Sequence, residues 1–155
     1  MANSLGVDLA VVPLMVAHDA SALDLTLHRY LVRQTRPSAL ALEVQDLGTI
    51  SERENLAQAL ILRLLTPRGA LKALGHANYG SRLHELIGQN KTPALRNLCR
   101  VFILEVIAQE PRVEDKAVEI TFDERAETLS SFVFTLAVKP RNGDTTIGVS
   151  LEIGL

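Results

Sequence analysis

Few residues in this chain are of a type and spacing that can do chemistry. Glu105 and Glu110 bracket the end of one predicted helix, and Glu114 and Asp115 follow. Two carboxylates facing each other across a cleft can cleave a glycoside. Nothing in the spacing sets two of these across a cleft, and a chain with no Trp and 4% aromatics lacks the stacking surface of a sugar site. Cys99 lies near Arg96 and Arg100, whose charge favours a thiolate. It also falls on the apolar stripe of its helix, where cysteine behaves as a small buried hydrophobe. The four histidines, His18, His28, His76 and His84, are scattered, none at i, i+4 from another on a predicted helix, and no cysteine pair joins them. Adjacent His84 and Glu85 point apart on a short helix. A metal ion needs several converging ligands, so none is expected. No phosphate-cradling, dinucleotide or G-x-S-x-G loop is present. The expectation is no catalytic residue, no cofactor and no metal.

Two features remain. Glu110-Pro111-Arg112 stands at a helix end, where proline removes a donor and stops the ladder, so that Glu110 and Arg112 flank a rigid corner. The Arg112 guanidinium offers a planar fork, either to a partner's carboxylate or to groups of the turn itself. The second is the last apolar alternation, Thr145 to Leu155, with Glu152 as its one charge and Asp144 just before it. Edge strands are usually blunted by charge or proline; this one is open to an added partner strand, or is simply paired within its own sheet.

The elements that must position these residues follow from periodicity. Ser51 and Glu54 form a capping-box pattern ahead of a helix whose stripe is Leu56, Ala59, Leu60 and Leu64, widened by Ile61, Leu62 and Leu65. Thr66-Pro67-Arg68-Gly69 stops it. Ser81 is placed to cap a short helix through Ile87, with Leu83, Leu86 and Ile87 inward and Gly88 beyond its end. Thr92 at N-cap and Pro93 at N1 open a third helix, with Leu95, Leu98, Cys99, Phe102, Ile103 and Val106 toward the core and Pro111 ending it. The period then switches to two. Val118, Ile120 and Phe122 alternate, then Phe132, Phe134, Leu136 and Val138, then Ile147, Val149, Leu151 and Ile153, with Asn142-Gly143 as a hairpin turn between the last two runs. The first fifty residues are less regular. Val7 to Val16 reads as an edge strand or arm because of Pro13, Ala20 to Val32 as a short helix or arm, Arg36-Pro37-Ser38 as a break, and Leu40, Leu42 and Val44 as a weak strand. The fold expected is α+β: about three helices packed on a three-stranded antiparallel meander, with an N-terminal extension.

Composition narrows the classes. The 155 residues are 47% apolar and 22% charged, with a net charge of −2 and one cysteine. That is globular, without a disulfide framework, and asks for neither nucleic acid nor an anionic membrane. Charge is uneven: residues 52–100 carry eight basic and three acidic side chains, residues 101–155 five and ten. The first apolar run, Leu9 to Ala17, is far short of the ~20 residues of a membrane span and has no basic residue before it, so folding in the cytoplasm is expected.

One ordered set of segments carries more. Leu56-Ala57-Gln58-Ala59-Leu60 leads to Arg63-Leu64-Leu65-Thr66-Pro67-Arg68-Gly69; Tyr79-Gly80-Ser81-Arg82-Leu83 follows; Glu110-Pro111-Arg112 precedes the first strand. In order and spacing these resemble the baseplate-wedge sheath-initiator family of contractile phage tails. It is also called tail-lysozyme-like, with equivalents in type VI secretion and in phage-derived injection particles. The resemblance covers about residues 40–155 and leaves 1–39 as an arm or extension with no assigned partner. It implies a non-enzymatic structural protein, made in the cytoplasm and built in multiple copies into a six-fold baseplate. Its partners would be wedge subunits, sheath subunits, and hub or spike proteins. Glu110, Pro111 and Arg112 would dock on the wedge. Thr146, Ile147, Val149, Leu151 and Ile153 would add a sheath strand and so start sheath polymerisation. Tyr79, Gly80 and Ser81 would set the fold. On this reading Arg112→Glu abolishes wedge assembly with the fold intact, and deletion of 146–155 stops sheath growth alone. The alternatives are an adaptor that uses the same fold to hold a cytoplasmic protein, and a small glycoside hydrolase acting through Glu105 or Glu110.

Overall fold

The computed structural model describes residues 5–11, 27–32, 42–141, 143 and 145–155. The chain divides into two compact units, residues 1–55 and 56–155. Among its described residues the first holds two antiparallel pairs. β1 (Val7–Leu9) lies against β4 (Thr49–Ser51), with Val7 opposite Ser51, and β2 (Leu27–Val32) against β3 (Leu42–Leu47), with Leu27 opposite Leu47. The Ala10 N–H donates to the Gly48 carbonyl at 2.7 Å, and Asn55 Nδ2 to the Leu5 carbonyl at 2.8 Å. The helix considered over Ala20 to Val32 is therefore corrected over its last six residues, which are strand. Six residues are too few for apolar spacing to tell the two periods apart, and a partner strand decides. The strand expected near Leu42 and Val44 is β3. Pro13, the Arg36-Pro37-Ser38 break and Leu40 lie outside the described residues.

α1 (Glu52–Leu65) follows β4 without a loop. Glu52 makes the change of direction with a φ of +53°, a region few non-glycine residues adopt. Leu56, Leu60 and Leu64, one turn apart, are fully buried, and Ile61, Leu62 and Leu65 are half-buried beside them. The short helix expected from Ser81 to Ile87 is a single 3-10 turn, Leu83–Leu86, so the described residues hold two α-helices rather than three. The i, i+3 eclipse of such a turn stacks Leu83 on Leu86, and both are buried. Ile87 leaves it in extended conformation and is 64% exposed, not inward.

α2 (Pro93–Ile107) starts as its sequence dictates: the Leu95 N–H donates to Thr92 Oγ1 at 3.1 Å, and Pro93 occupies the first turn. Cys99, Phe102, Ile103, Val106 and Ile107 are buried. Leu98, expected inward, is 42% exposed, because it sits about 100° round the helix from Cys99 and joins Val101 and Leu104 on the outer face. The helix ends at Ile107, ahead of Pro111.

The meander is observed as expected. β5 (Val113–Phe122), β6 (Ser131–Pro140) and β7 (Ile147–Gly154) form an antiparallel sheet in that order. Ile120 stands opposite Leu136, and Leu136 opposite Val149. A register shift between Val113 and Val118 bends β5. Phe132, Phe134, Leu136 and Val138 of β6 are completely buried, while the residues between them face outward or are partly covered. Of the Asn142-Gly143 turn, Asn142 lies outside the described residues; the Gly143 N–H donates to the Pro140 carbonyl at 3.3 Å.

Candidate functional site

The Glu110 corner is built from the end of α2 outward. Short-range bonds tighten the last turn: Gln109 N–H to the Val106 carbonyl at 3.2 Å and Glu110 N–H to that of Ile107 at 2.9 Å. A second turn, with Pro111 inside it, closes from the Val113 N–H to the Glu110 carbonyl at 3.1 Å and starts β5. The Glu110 side chain is 4% exposed. Arg112 Nε donates to its Oε1 at 2.6 Å, Arg112 Nη2 to Oε2 at 3.1 Å, and the Arg112 N–H to Oε1 at 3.3 Å. Arg63 of α1 adds a charge 3.9 Å from Oε2. Burial pushes this carboxyl up, but the Arg112 fork and charge, with Arg63, outweigh it and hold it below the usual carboxylate range. The fork is thus engaged inside the molecule. The corner is also tied to β6: the Arg141 N–H donates to the Arg112 carbonyl at 2.9 Å, and Arg141 Nε to the Val113 carbonyl at 3.0 Å.

Tyr79, Gly80 and Ser81 lie against the end of α1. Ser81 Oγ donates to the Leu64 carbonyl at 2.5 Å and accepts the Leu83 N–H at 3.3 Å. The Ser81 N–H donates to the Thr66 carbonyl at 2.8 Å. Carbonyls with no partner left in the last turn of the helix are satisfied by this segment. Gly80 has φ +103°, and a Cβ there would stand 2.4 Å from the Thr66 carbonyl oxygen, so only glycine fits. Arg63 joins the two motifs. Its guanidinium stacks over the Tyr79 ring at 4.8 Å, donates to the Gln109 carbonyl at 3.1 Å and faces Glu110. Segments thirty residues apart in sequence are therefore one cluster around a cation that the sequence reading left as a helix residue.

The third predicted feature, β7, is hydrogen-bonded to β6 and to no other described strand. The Leu155 N–H donates to the Ser130 carbonyl at 2.7 Å. Because antiparallel pairs alternate, the backbone groups of residues 147, 149, 151 and 153 face β6, and those of Gly148, Ser150, Glu152 and Gly154 point away from it. Ile147 and Val149 are buried; Leu151, Ile153 and Leu155 are only partly covered. Thr146 precedes the strand.

Sequence reasoning missed a second buried carboxylate. Glu127, in the β5–β6 connection, has a side chain 2% exposed, with Lys91 Nζ at 2.8 Å and Arg96 Nη2 at 2.7 Å, both on Oε2. Its Oε1 has no hydrogen-bond partner among the described residues. Lys91 also donates to the carbonyls of Thr128 (2.7 Å) and Ser131 (2.9 Å), and Arg96 pairs with Glu124. Both cations lie over the Phe132 ring at 5.4 Å. The only signal was indirect: two cations at the start of α2 and three acids in the loop opposite.

The remaining candidates do not assemble. Burial, with the Glu127 charge, pushes the Cys99 thiol up to about 12, so it is not a thiolate nucleophile. Glu105 lies on the surface between Arg68 and Arg82, each 3.9 Å away. Glu110 is held ionised, the opposite of a general acid. Among the described residues no group of three or more metal-binding side chains gathers, and no helix is long and apolar enough to cross a membrane.

Comparison with known proteins places the fold. No family model matches the chain, and no curated protein matches it in sequence. Among solved structures it is similar to the crystal structure of a "putative tail lysozyme" from Geobacter sulfurreducens. The TM-score is 0.56 at 19% identity, over 66% of this chain and 89% of that one. At that identity the likeness is one of fold.

Proposed function

We propose that this chain is a structural, non-catalytic component of a contractile tail-like particle. It sits in the baseplate against wedge subunits, in multiple copies, and starts sheath polymerisation by offering β7 to a strand of the first sheath subunit. The observation that carries this reading is the edge itself. Four outward-facing backbone positions, two of them glycine, run along a strand with no proline and one charge. The fold shared with a protein named as a "putative tail lysozyme" supports it, as do the ordered segments of the sequence resemblance.

The Glu110 corner is the proposed wedge-facing element, and the geometry changes how it would act. Arg112 neutralises a buried carboxylate of its own chain, so the corner serves a partner by holding the α2–β5 turn in shape. Arg112→Glu would set two carboxylates together in a buried site and perturb folding. Deleting 146–155 would uncover Phe134 and Leu136, which β7 pairs with. Neither change separates folding from assembly.

Ser150→Pro does separate them. It removes an N–H that points away from β6 and leaves the sheet's own ladder whole. The experiment is co-assembly with the wedge and sheath proteins of the native host. Wild type recovers both, and Ser150→Pro keeps the wedge but grows no sheath. Sheaths of normal length on Ser150→Pro, or recovery of one non-tail protein by the wild type, would overturn the reading. Turnover of peptidoglycan lost in Glu105→Gln would overturn its non-catalytic part.

A further inference from the structure

The outer edge of β7 is complementary to itself. Running a second β7 antiparallel to the first about a two-fold axis at Leu151 pairs Gly148 with Gly154 of the other copy, and Ser150 with Glu152. These four positions are the ones whose backbone N–H and C=O groups point away from β6. On the core side the same register sets Ile147 against Leu155, Val149 against Ile153, and Leu151 against Leu151, so every facing pair is apolar. Neighbouring registers are worse. Moving the axis to residue 152 opposes Glu152 to Glu152, and moving it to residue 150 sets Leu155 opposite Thr145, a polar residue that precedes the strand. Side chains on the outer face would not obstruct approach, since a Cβ added at Gly148 or Gly154 meets nothing within 4 Å. Leu151, Ile153 and Leu155, partly covered in one chain, would each gain an apolar neighbour. Within the second unit α2 contacts β5, the strand at the opposite edge of the sheet, while Gly148, Ser150, Glu152 and Gly154 of this edge are exposed and no described strand pairs with it.

We infer that in the absence of other proteins a second copy of this chain occupies the β7 edge, joining two three-stranded sheets into one of six strands. The pairing is isologous, so it closes as a dimer and does not propagate. It covers an edge that no other described strand occupies, and any chain that adds a strand to β7 must displace it. The inference does not rest on the tail-particle reading, because its test contains no wedge or sheath protein.

The test is sedimentation equilibrium of the full chain over a concentration series. The wild type approaches twice its 16.9 kDa mass as concentration rises. Ser150→Glu, on the exposed face, opposes a carboxylate to Glu152 at both crossings and remains a monomer. Ser150→Lys opposes unlike charges there and tightens association roughly tenfold. Register is read by oxidation. Leu151→Cys sits on the two-fold axis in a closely spaced pair and forms a disulfide-linked dimer; Val149→Cys, opposite Ile153, does not. A monomer at every concentration, a dimer indifferent to the charge at 150, or equal cross-linking at 149 and 151 would each overturn the proposal. The two Ser150 variants decide it even if a cysteine variant folds poorly.

Discussion

Replacing Arg112 by Met tests the central electrostatic claim, that Glu110 is a buried carboxylate kept charged by its own neighbour. The substitution preserves the bulk of the aliphatic stem and deletes a fork bonded at 2.6 and 3.1 Å. Removing one partner of a buried pair costs about 3–5 kcal/mol. Two features of this site reduce that: Arg112 is 27% exposed, and Arg63 remains 3.9 Å from the carboxylate. The expected loss is therefore about 2–3 kcal/mol at neutral pH, or roughly 6–9 °C in Tm for a chain of this size. The pH dependence has a definite sign. Glu110 titrates lower folded than unfolded, so its contribution is fully present above the ordinary carboxylate range and is lost as pH falls through the folded value. With Arg112 gone burial dominates and the carboxyl moves up, so the variant's deficit is largest near pH 7 and shrinks in acid. Urea unfolding of wild type, Arg112→Met, Glu110→Gln and the double variant, at neutral and acid pH, gives the coupling as a double-mutant cycle. A deficit under about 0.5 kcal/mol, or one that does not change with pH, would refute the argument.

Three further outcomes follow from the same geometry. Gly80→Ala drives a Cβ to 2.4 Å from the Thr66 carbonyl oxygen at a left-handed φ, and should cost about 2 kcal/mol or more in chemical unfolding; a loss within error would show that the segment shifts freely. Cys99, with its thiol near 12, should resist an aromatic disulfide reagent at pH 8 in the native protein and react fully once unfolded, and rapid native reaction would disprove its burial. Glu127→Ala should release the connection between β5 and β6, so that the Thr128 and Ser130 amides exchange with solvent at least roughly tenfold faster while those of α2 keep their rates; unchanged exchange would mean that the loop's own hydroxyl bonds hold it.

Where the fold was legible in sequence, the cause was local. Thr92-Pro93 writes its own cap, and strict alternation from Phe132 to Val138 and from Ile147 to Ile153 can satisfy only a strand buried on one face. Where it was not, the deciding partner was distant. Nothing within six residues of Tyr30 says strand; β3 does. Ile87 and Leu98 looked inward because they are apolar, yet a 3-10 turn and a 100° step put them outside. The corner and the Tyr79 segment were each visible, but their union through Arg63 spans separations of 16 and 47 residues. Glu127 was unreadable for the same reason: a carboxylate in a polar loop gains meaning only when Lys91 and Arg96 are brought to it across the sheet end.

The two buried carboxylates occupy opposite ends of α2, and this distribution bears on the strand addition proposed for β7. Glu127 binds the loop between β5 and β6 to the cations at the start of the helix. Glu110, with Arg112 and Arg63, fixes the turn from the helix end into β5. Buried ion pairs are poor sources of net stability but fix geometry closely, since either partner left alone is costly. Both clamps act on β5 and its connections, and neither reaches β7, which is held by β6 and by the burial of Ile147 and Val149. Under the proposed strand addition, the receiving strand needs a rigid sheet behind it and an outer side that no other described strand occupies. The polar anchors lie at the far edge, which fits both conditions, and the recognition proposed for β7 then rests on backbone groups and on the register that Glu152 and the two glycines allow.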